Sequence, residues 1–168
     1  MSWITVLYVM MATVSATIAG IYLAAWLMQR EASSYLLFVL LAVSIAGLAG
    51  TELWMLRAQT PEEYATALRW LHVPVWSGFL ALVGLVHLRL RPRFSWVGWL
   101  AVGLRTVSLV ANFVSGQNLN YVALTGIDRI TLLGDPVATA IGVPNPWMLL
   151  GQASLLLAIF FLLDGGIC

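Results

Sequence analysis

The chain has no lysine; all eight of its basic residues are arginines, set against seven acids. Charged residues make up only 9% of 168 positions, too few to cover the surface of a water-soluble domain of this size. The net charge of +1 comes with no basic patch, which argues against nucleic acid as a partner. Cysteine occurs once, as Cys168, so an intrachain disulfide is impossible and a thiolate metal site is excluded. There is no nucleophile elbow, no glycine-rich phosphate loop and no paired carboxylates on a conducting helix, so an enzyme is not expected. The first apolar stretch lacks a basic leader and is too long for a signal-peptide core, so it reads as a retained helix.

What is present is apolar. Hydrophobic residues account for 61% of the chain and the mean hydropathy is +0.94. Five runs approach the roughly 20 helical residues that cross a hydrocarbon core. They fall at about Ile4–Met28, Tyr35–Leu56, Val73–Leu88, Phe94–Val114 and Trp147–Leu163. Backbone polar groups must be satisfied internally in lipid, and the runs do not alternate as membrane-barrel strands do. The expected fold is therefore an all-α integral membrane bundle of about five transmembrane helices, forming a single transmembrane domain over residues 1–168.

The segments between the spans carry local signals. Thr60-Pro61-Glu62-Glu63 reads as a helix start, with Thr60 as cap, Pro61 at the first helical position and Glu63 closing a capping box. The short helix that follows should lie at the membrane surface before Pro74 bends the chain into the third span. In the loop 115–146, Ile130–Leu133 and Val137–Ile141 flank Gly134-Asp135-Pro136, the pattern of a small β-hairpin. Asn145, Pro146 and Trp147 open the last helix as cap, first-turn proline and interfacial anchor. Trp3, Trp26, Trp54, Trp70 and Trp96 also fall near expected interfaces.

The most basic stretch runs through His87, Arg89, Arg91 and Arg93, and by the positive-inside rule it should be cytoplasmic. That puts Arg30 inside, the 57–69 connection and the long loop outside, the N-terminus outside and Cys168 inside, in a bacterial inner membrane.

Two charges, Glu52 and Arg105, sit inside apolar spans, where each costs about 3 kcal/mol even on lenient scales unless it is partnered. By helical rise they are offset in depth by about 9 Å, which the long arginine and helix tilt can narrow. An internal ion pair that fixes packing is the preferred reading over a proton or ligand site, because a proton pathway needs more than one acid. Asn112, Gln152 and Ser154 are expected to form interhelical hydrogen bonds. His72 and His87 are candidate pigment or ligand contacts; they stand about 22 Å apart along one helix and so cannot clamp a haem between them. No cofactor is required by these residues, although a bound lipid or pigment is compatible with them.

Small residues recur every fourth position in the first helix (Ala12, Ala16, Gly20, Ala24) and again in the second (Ala42, Ala46, Gly50). Such rows let backbones approach closely, and packing within the chain is the simpler expectation, with packing on a partner as the alternative.

Several stretches taken in order, Thr60-Pro-Glu-Glu-Tyr64, Arg69-Trp-Leu-His-Val-Pro74, Asn118-Leu-Asn120, Gly142-Val-Pro-Asn-Pro-Trp147 and Gly151-Gln152-Ala-Ser154, resemble the N-terminal membrane region of bacterial sensor histidine kinases. The similarity runs from about Glu52 to Asp164. It implies a sensory input module ahead of PAS and kinase domains, yet none of those output domains follows in this sequence. Two functions are therefore expected. The first is an accessory subunit that packs with other membrane subunits and lipids, in a photosynthetic or respiratory complex. The second is the input domain of a kinase that detects a hydrophobic or outer-face ligand. A transporter is disfavoured by the scarcity of polar residues and the lack of an evident inverted repeat.

Overall fold

The computed structural model describes residues 2–30, 33–90 and 94–167. Five helices, α1 (Trp3–Met28), α2 (Ser33–Leu56), α3 (Pro61–Leu90), α4 (Ser95–Val114) and α5 (Met148–Ile167), are accompanied by two strands, β1 (Tyr121–Leu132) and β2 (Asp135–Pro144). All five helices are long and apolar enough to cross a membrane. Their outward faces carry large apolar side chains such as Leu7, Val14, Ile21, Leu149 and Leu156, a surface suited to hydrocarbon rather than water. Hydroxyls on these faces are satisfied locally: Thr13 and Thr17 donate to the carbonyls of Val9 and Thr13, at 2.7 and 2.9 Å.

The helices pack in chain order, α1 on α2, α2 on α3, α3 on α4 and α4 on α5, so α3 stands between the two halves. Tyr22 stacks on Phe38 across α1 and α2 with ring centroids 4.9 Å apart. Ser44 and Ser77 share a 2.7 Å hydrogen bond across α2 and α3. Such a bond contributes about 0.6 kcal/mol on average between membrane helices. Trp76 Nε1 donates to Thr106 Oγ1 at 2.9 Å, tying α3 to α4. At the end of the bundle away from the strands, Val83, Val86, Val97 and Val102 close around Phe161, which is fully buried.

The expected break between a surface helix and a third span does not occur: α3 runs unbroken from Pro61 to Leu90 with Pro74 inside it. Proline removes one backbone hydrogen bond, but in a packed membrane helix that loss is tolerated when neighbours fill in around it. The carbonyl that Pro74 leaves without its helical donor is that of Trp70, while Ser77 Oγ, three residues on, donates to the Pro74 carbonyl at 3.2 Å. The proline ring fits against Gly47 of α2, where a Cβ would lie only 3.1 Å from Pro74 Cβ.

The strands form one antiparallel hairpin, longer than the sequence pattern suggests, and its turn is displaced. Leu132 pairs with Asp135, which leaves Leu133 and Gly134 as the two turn residues in place of Gly134-Asp135-Pro136. Both have positive φ, 53° and 85°, as a tight two-residue hairpin turn of matching twist requires. Gly134 adopts that conformation freely, whereas Leu133 is strained in it. Near the strand ends the register slips twice, and Gly142 is required there because a Cβ would come within 2.5 Å of the Ala123 carbonyl.

The hairpin's inner face, with Leu124 and Ala138, covers Ala58, Tyr64, Ala65 and Leu68 at the α2–α3 corner. A second tie comes from the chain start, where Ser2 Oγ donates to Asp135 Oδ2 at 2.6 Å. The start of α1, the α2–α3 corner and the hairpin therefore share one end of the bundle. Arg89, which donates to Ser34 Oγ at 3.0 Å, marks the other end. Arg91 and Arg93 lie outside the described residues.

Candidate functional site

Between α3, α4 and α5, beside the loop that precedes β1, lies an open cavity of about 320 Å³. His72, Val75 and Phe79 reach it from α3 because positions i, i+3 and i+7 share one helix face. Met148, Gly151, Gln152 and Leu155 do the same from α5, Arg105 enters from the middle of α4, and Leu119 and Asn120 close the top.

The lid is held by asparagines. Asn112, with no exposed surface, donates through Nδ2 to the Arg69 carbonyl at 2.8 Å and accepts at Oδ1 from Leu119 N at 2.9 Å. Asn118 Oδ1 accepts from the backbone amides of Asn120 and Tyr121 at 2.9 and 2.8 Å. Asn145 Nδ2 donates to the Asn118 carbonyl at 3.0 Å, while its Oδ1 accepts from Trp147 N at 3.1 Å at the start of α5. Arg69 adds bonds from Nη2 to the carbonyls of Gly116 (3.1 Å) and Gln117. These contacts satisfy a buried loop that would otherwise hold orphaned backbone groups. In the sequence Asn145 reads as a cap and Asn112 as a helix–helix contact, while nothing local marks Asn118. The available signal was the density of asparagine between two apolar spans.

His72 is buried, and its Nε2 lies 3.1 Å from Asn120 Oδ1, a bond in which Nε2 carries the proton and the amide oxygen accepts. His87 does not join it: exposed near the opposite end of α3, it meets Trp99 edge-on at 6.1 Å. No group of three or more His, Cys, Asp or Glu side chains suited to a metal ion occurs among the described residues.

The expected ion pair between Glu52 and Arg105 does not form. Glu52 lies beside the Tyr8 phenol, on the α1–α2 side of the bundle. Arg105 lies on the far side of α3, with Nη1 3.5 Å from the Gly151 carbonyl and its guanidinium 5.3 Å from the Phe79 ring centroid. The helix order is the physical reason: α3 separates α2 from α4, so similar depth does not bring the two charges together. Gly151 leaves room beside the guanidinium, since a Cβ there would lie 3.0 Å from Nη1.

The small-residue rows are also placed differently from the expectation of internal packing. α1 buries Ile4, Ser15 and Ala19, while Ala12 is half-buried and Ala16, Gly20 and Ala24 are exposed. In α2, Ala42 is buried, Ala46 half-buried and Gly50 exposed, and a Cβ on Gly20 or Gly50 would meet nothing within 4 Å. At 3.6 residues per turn an i, i+4 row drifts by roughly 40° per step, so it leaves the contact seam within two turns.

The caps are local and specific. Thr60 Oγ1 accepts from Glu63 N at 3.2 Å, and Glu63 Oε2 accepts from Gln59 N at 2.8 Å, one residue earlier than a standard capping box. Pro61 is the first residue of α3, while Pro146 and Trp147 form the turn that leads into α5.

No protein-family model, no curated protein and no solved structure matches this chain.

Proposed function

We propose that this chain is a non-catalytic, membrane-embedded receptor module that holds a small amphipathic ligand in the cavity between α3, α4 and α5, in the manner of the input region of a sensor histidine kinase. The cavity carries this reading. Its volume of about 320 Å³ falls in the range of clefts that hold small ligands, which begins near 300 Å³. A mostly apolar wall with a few polar groups is the usual lining of such clefts. The hairpin would couple occupancy to the rest of the fold, because the same loop that roofs the cavity continues into β1 and, through Asn145, into α5. In a bacterial inner membrane the hairpin end would face outward, with the Arg30 and Arg89 end in the cytoplasm, as the distribution of arginines favours.

The test is a mild-detergent purification from native membranes followed by stripping of small amphiphiles. Stripping is expected to lower the thermal midpoint, and adding back the organic extract should restore it. A midpoint indifferent to both steps would count against a receptor module.

The exposed row Ala16, Gly20 and Ala24 favours a second reading, an accessory subunit that packs on another membrane chain of a photosynthetic or respiratory complex. On that reading Gly20→Ile leaves the isolated chain as stable as before but abolishes a stable association seen in the same native extract. An unchanged association would remove the row from consideration.

A further inference from the structure

The charge balance of the cavity has a consequence for what it binds. Arg105 projects from about the middle of the twenty-residue helix α4 into a space whose apolar wall includes Val75, Phe79, Leu119 and Leu155. Among the described residues it forms no ion pair: its contacts are a 3.5 Å approach to the Gly151 carbonyl and the face of Phe79. A carbonyl at that distance is a weak acceptor, and a phenyl face returns little of what a guanidinium loses on leaving water. Arginine within an apolar span is costly unless something of opposite charge or several good acceptors meet it. Glu52, the acid of α2 that would be its natural partner, lies across the bundle beside Tyr8. The neighbouring polar groups, the His72–Asn120 pair and Gln152, are uncharged or positive and supply no anion. The fork of donors on Arg105 thus faces a cavity with room for an oxyanion that the chain does not provide.

We propose that the cavity binds an amphiphile whose oxyanion head pairs with Arg105 and whose apolar tail lies along Phe79 and Leu155. The inference rests on the receptor reading above and names the ligand's chemistry. The guanidinium's planar fork suits a carboxylate or phosphate held by two parallel hydrogen bonds. The tail leaves towards the membrane rather than towards water: Leu155 and Gln152 on α5 are exposed on the bundle surface, and α3 meets α5 only sparsely, so the cavity opens sideways between them. Gly151 keeps this approach clear by having no side chain to push the guanidinium aside.

The probe is dodecanoate, compared with dodecanol, which has the same chain length and no charge. Both are titrated into the full chain in phosphatidylcholine nanodiscs, with and without phosphatidylglycerol. Dodecanoate is expected to bind saturably and at least about tenfold more tightly than dodecanol. Arg105→Met should weaken dodecanoate by about tenfold to a hundredfold, the loss of a hydrogen-bonded charge partner, while leaving dodecanol unaffected. Should that variant not fold, the carboxylate-to-alcohol preference of the wild-type chain decides alone. If phosphatidylglycerol stabilises wild type but not Arg105→Met and blocks dodecanoate, the oxyanion is that of a bilayer lipid and the proposal stands with that source. Equal binding of dodecanoate and dodecanol overturns the oxyanion assignment and leaves the receptor reading intact. If no probe binds saturably in either nanodisc, both fall together.

Discussion

Replacing Gly98 with alanine places a methyl carbon 2.8 Å from Cε2 and Cζ of Phe161 and 3.0 Å from Cδ2. Real carbon contacts do not close to that distance, and Phe161 has no exposed surface into which its ring could retreat. Two effects oppose each other. Alanine favours a helix over glycine by about 1 kcal/mol, while forcing an extra methyl group into a packed core costs about 1–3 kcal/mol. The net expectation for Gly98→Ala is a loss of up to about 2 kcal/mol. Gly103 lies on the same helix with nothing within 4 Å of its would-be Cβ, so Gly103→Ala isolates the propensity gain. Overpacking should thus separate the two variants by about 1–3 kcal/mol, read as midpoints of unfolding in a mixed-detergent titration followed by tryptophan fluorescence. Phe161→Leu should relieve the Gly98→Ala defect, giving a favourable coupling of about 0.5 kcal/mol or more in a double-mutant cycle. A Gly98→Ala chain as stable as Gly103→Ala would refute the placement of Phe161 against α4, and with it the inner core around Val83 and Val97.

Three further outcomes follow from the same geometry. Asn112→Ala should cost about 1–3 kcal/mol, because it leaves the Leu119 amide without its acceptor in a buried loop and cuts the loop's tie to the Arg69 carbonyl of α3, and amide exchange over residues 116–121 should accelerate more than in the helices. Glu52→Gln and Arg105→Met should change stability additively within about 0.5 kcal/mol, since the two side chains share no partner; a coupling above that would restore the ion pair that the fold denies. The hydrogen bond from Ser2 and the amide of Ile4 hold the Asp135 carboxyl below the usual aspartate range. The tie between the start of α1 and the hairpin is therefore complete above the unfolded aspartate value of about 4 and is lost as pH falls through the lower folded value. Amide exchange in the first turn of α1 should rise on acidification across that window, and Asp135→Asn should remove the pH dependence.

The parts legible in the sequence are those set by a residue's own solvation or by its near neighbours in the chain. The five apolar helices follow from transfer energies summed along the chain, and their ends match the hydropathy pattern to within a few residues except at α3. There the local rule for proline was outweighed, because Gly47 of α2 makes room for the Pro74 ring in the packed bundle. The hairpin was visible as two β-rich runs about a glycine, but its register was not. A shift of the turn by one residue changes which side chains face inward, and the contact of Leu124 and Ala138 with Tyr64 and Leu68 selects the register that buries them.

What only the tertiary structure decided was how the helices are ordered and rotated. Glu52 and Arg105 are both charges within apolar helices, and nothing in their spacing says that α3 will stand between them. His72 and His87 look alike in the sequence, yet one caps a cavity and the other lies near the far end of the bundle. The alanine and glycine row of α1 is apparent by eye, but its face is set by which turns of α1 meet α2, and Ser15 and Ala19 won that contact. Hydropathy is a property of each residue and survives any arrangement, so it can be read from the chain. Pairing depends on the relative rotation and order of helices whose lipid-facing and buried sides are equally apolar, and that information appears only when the bundle is assembled.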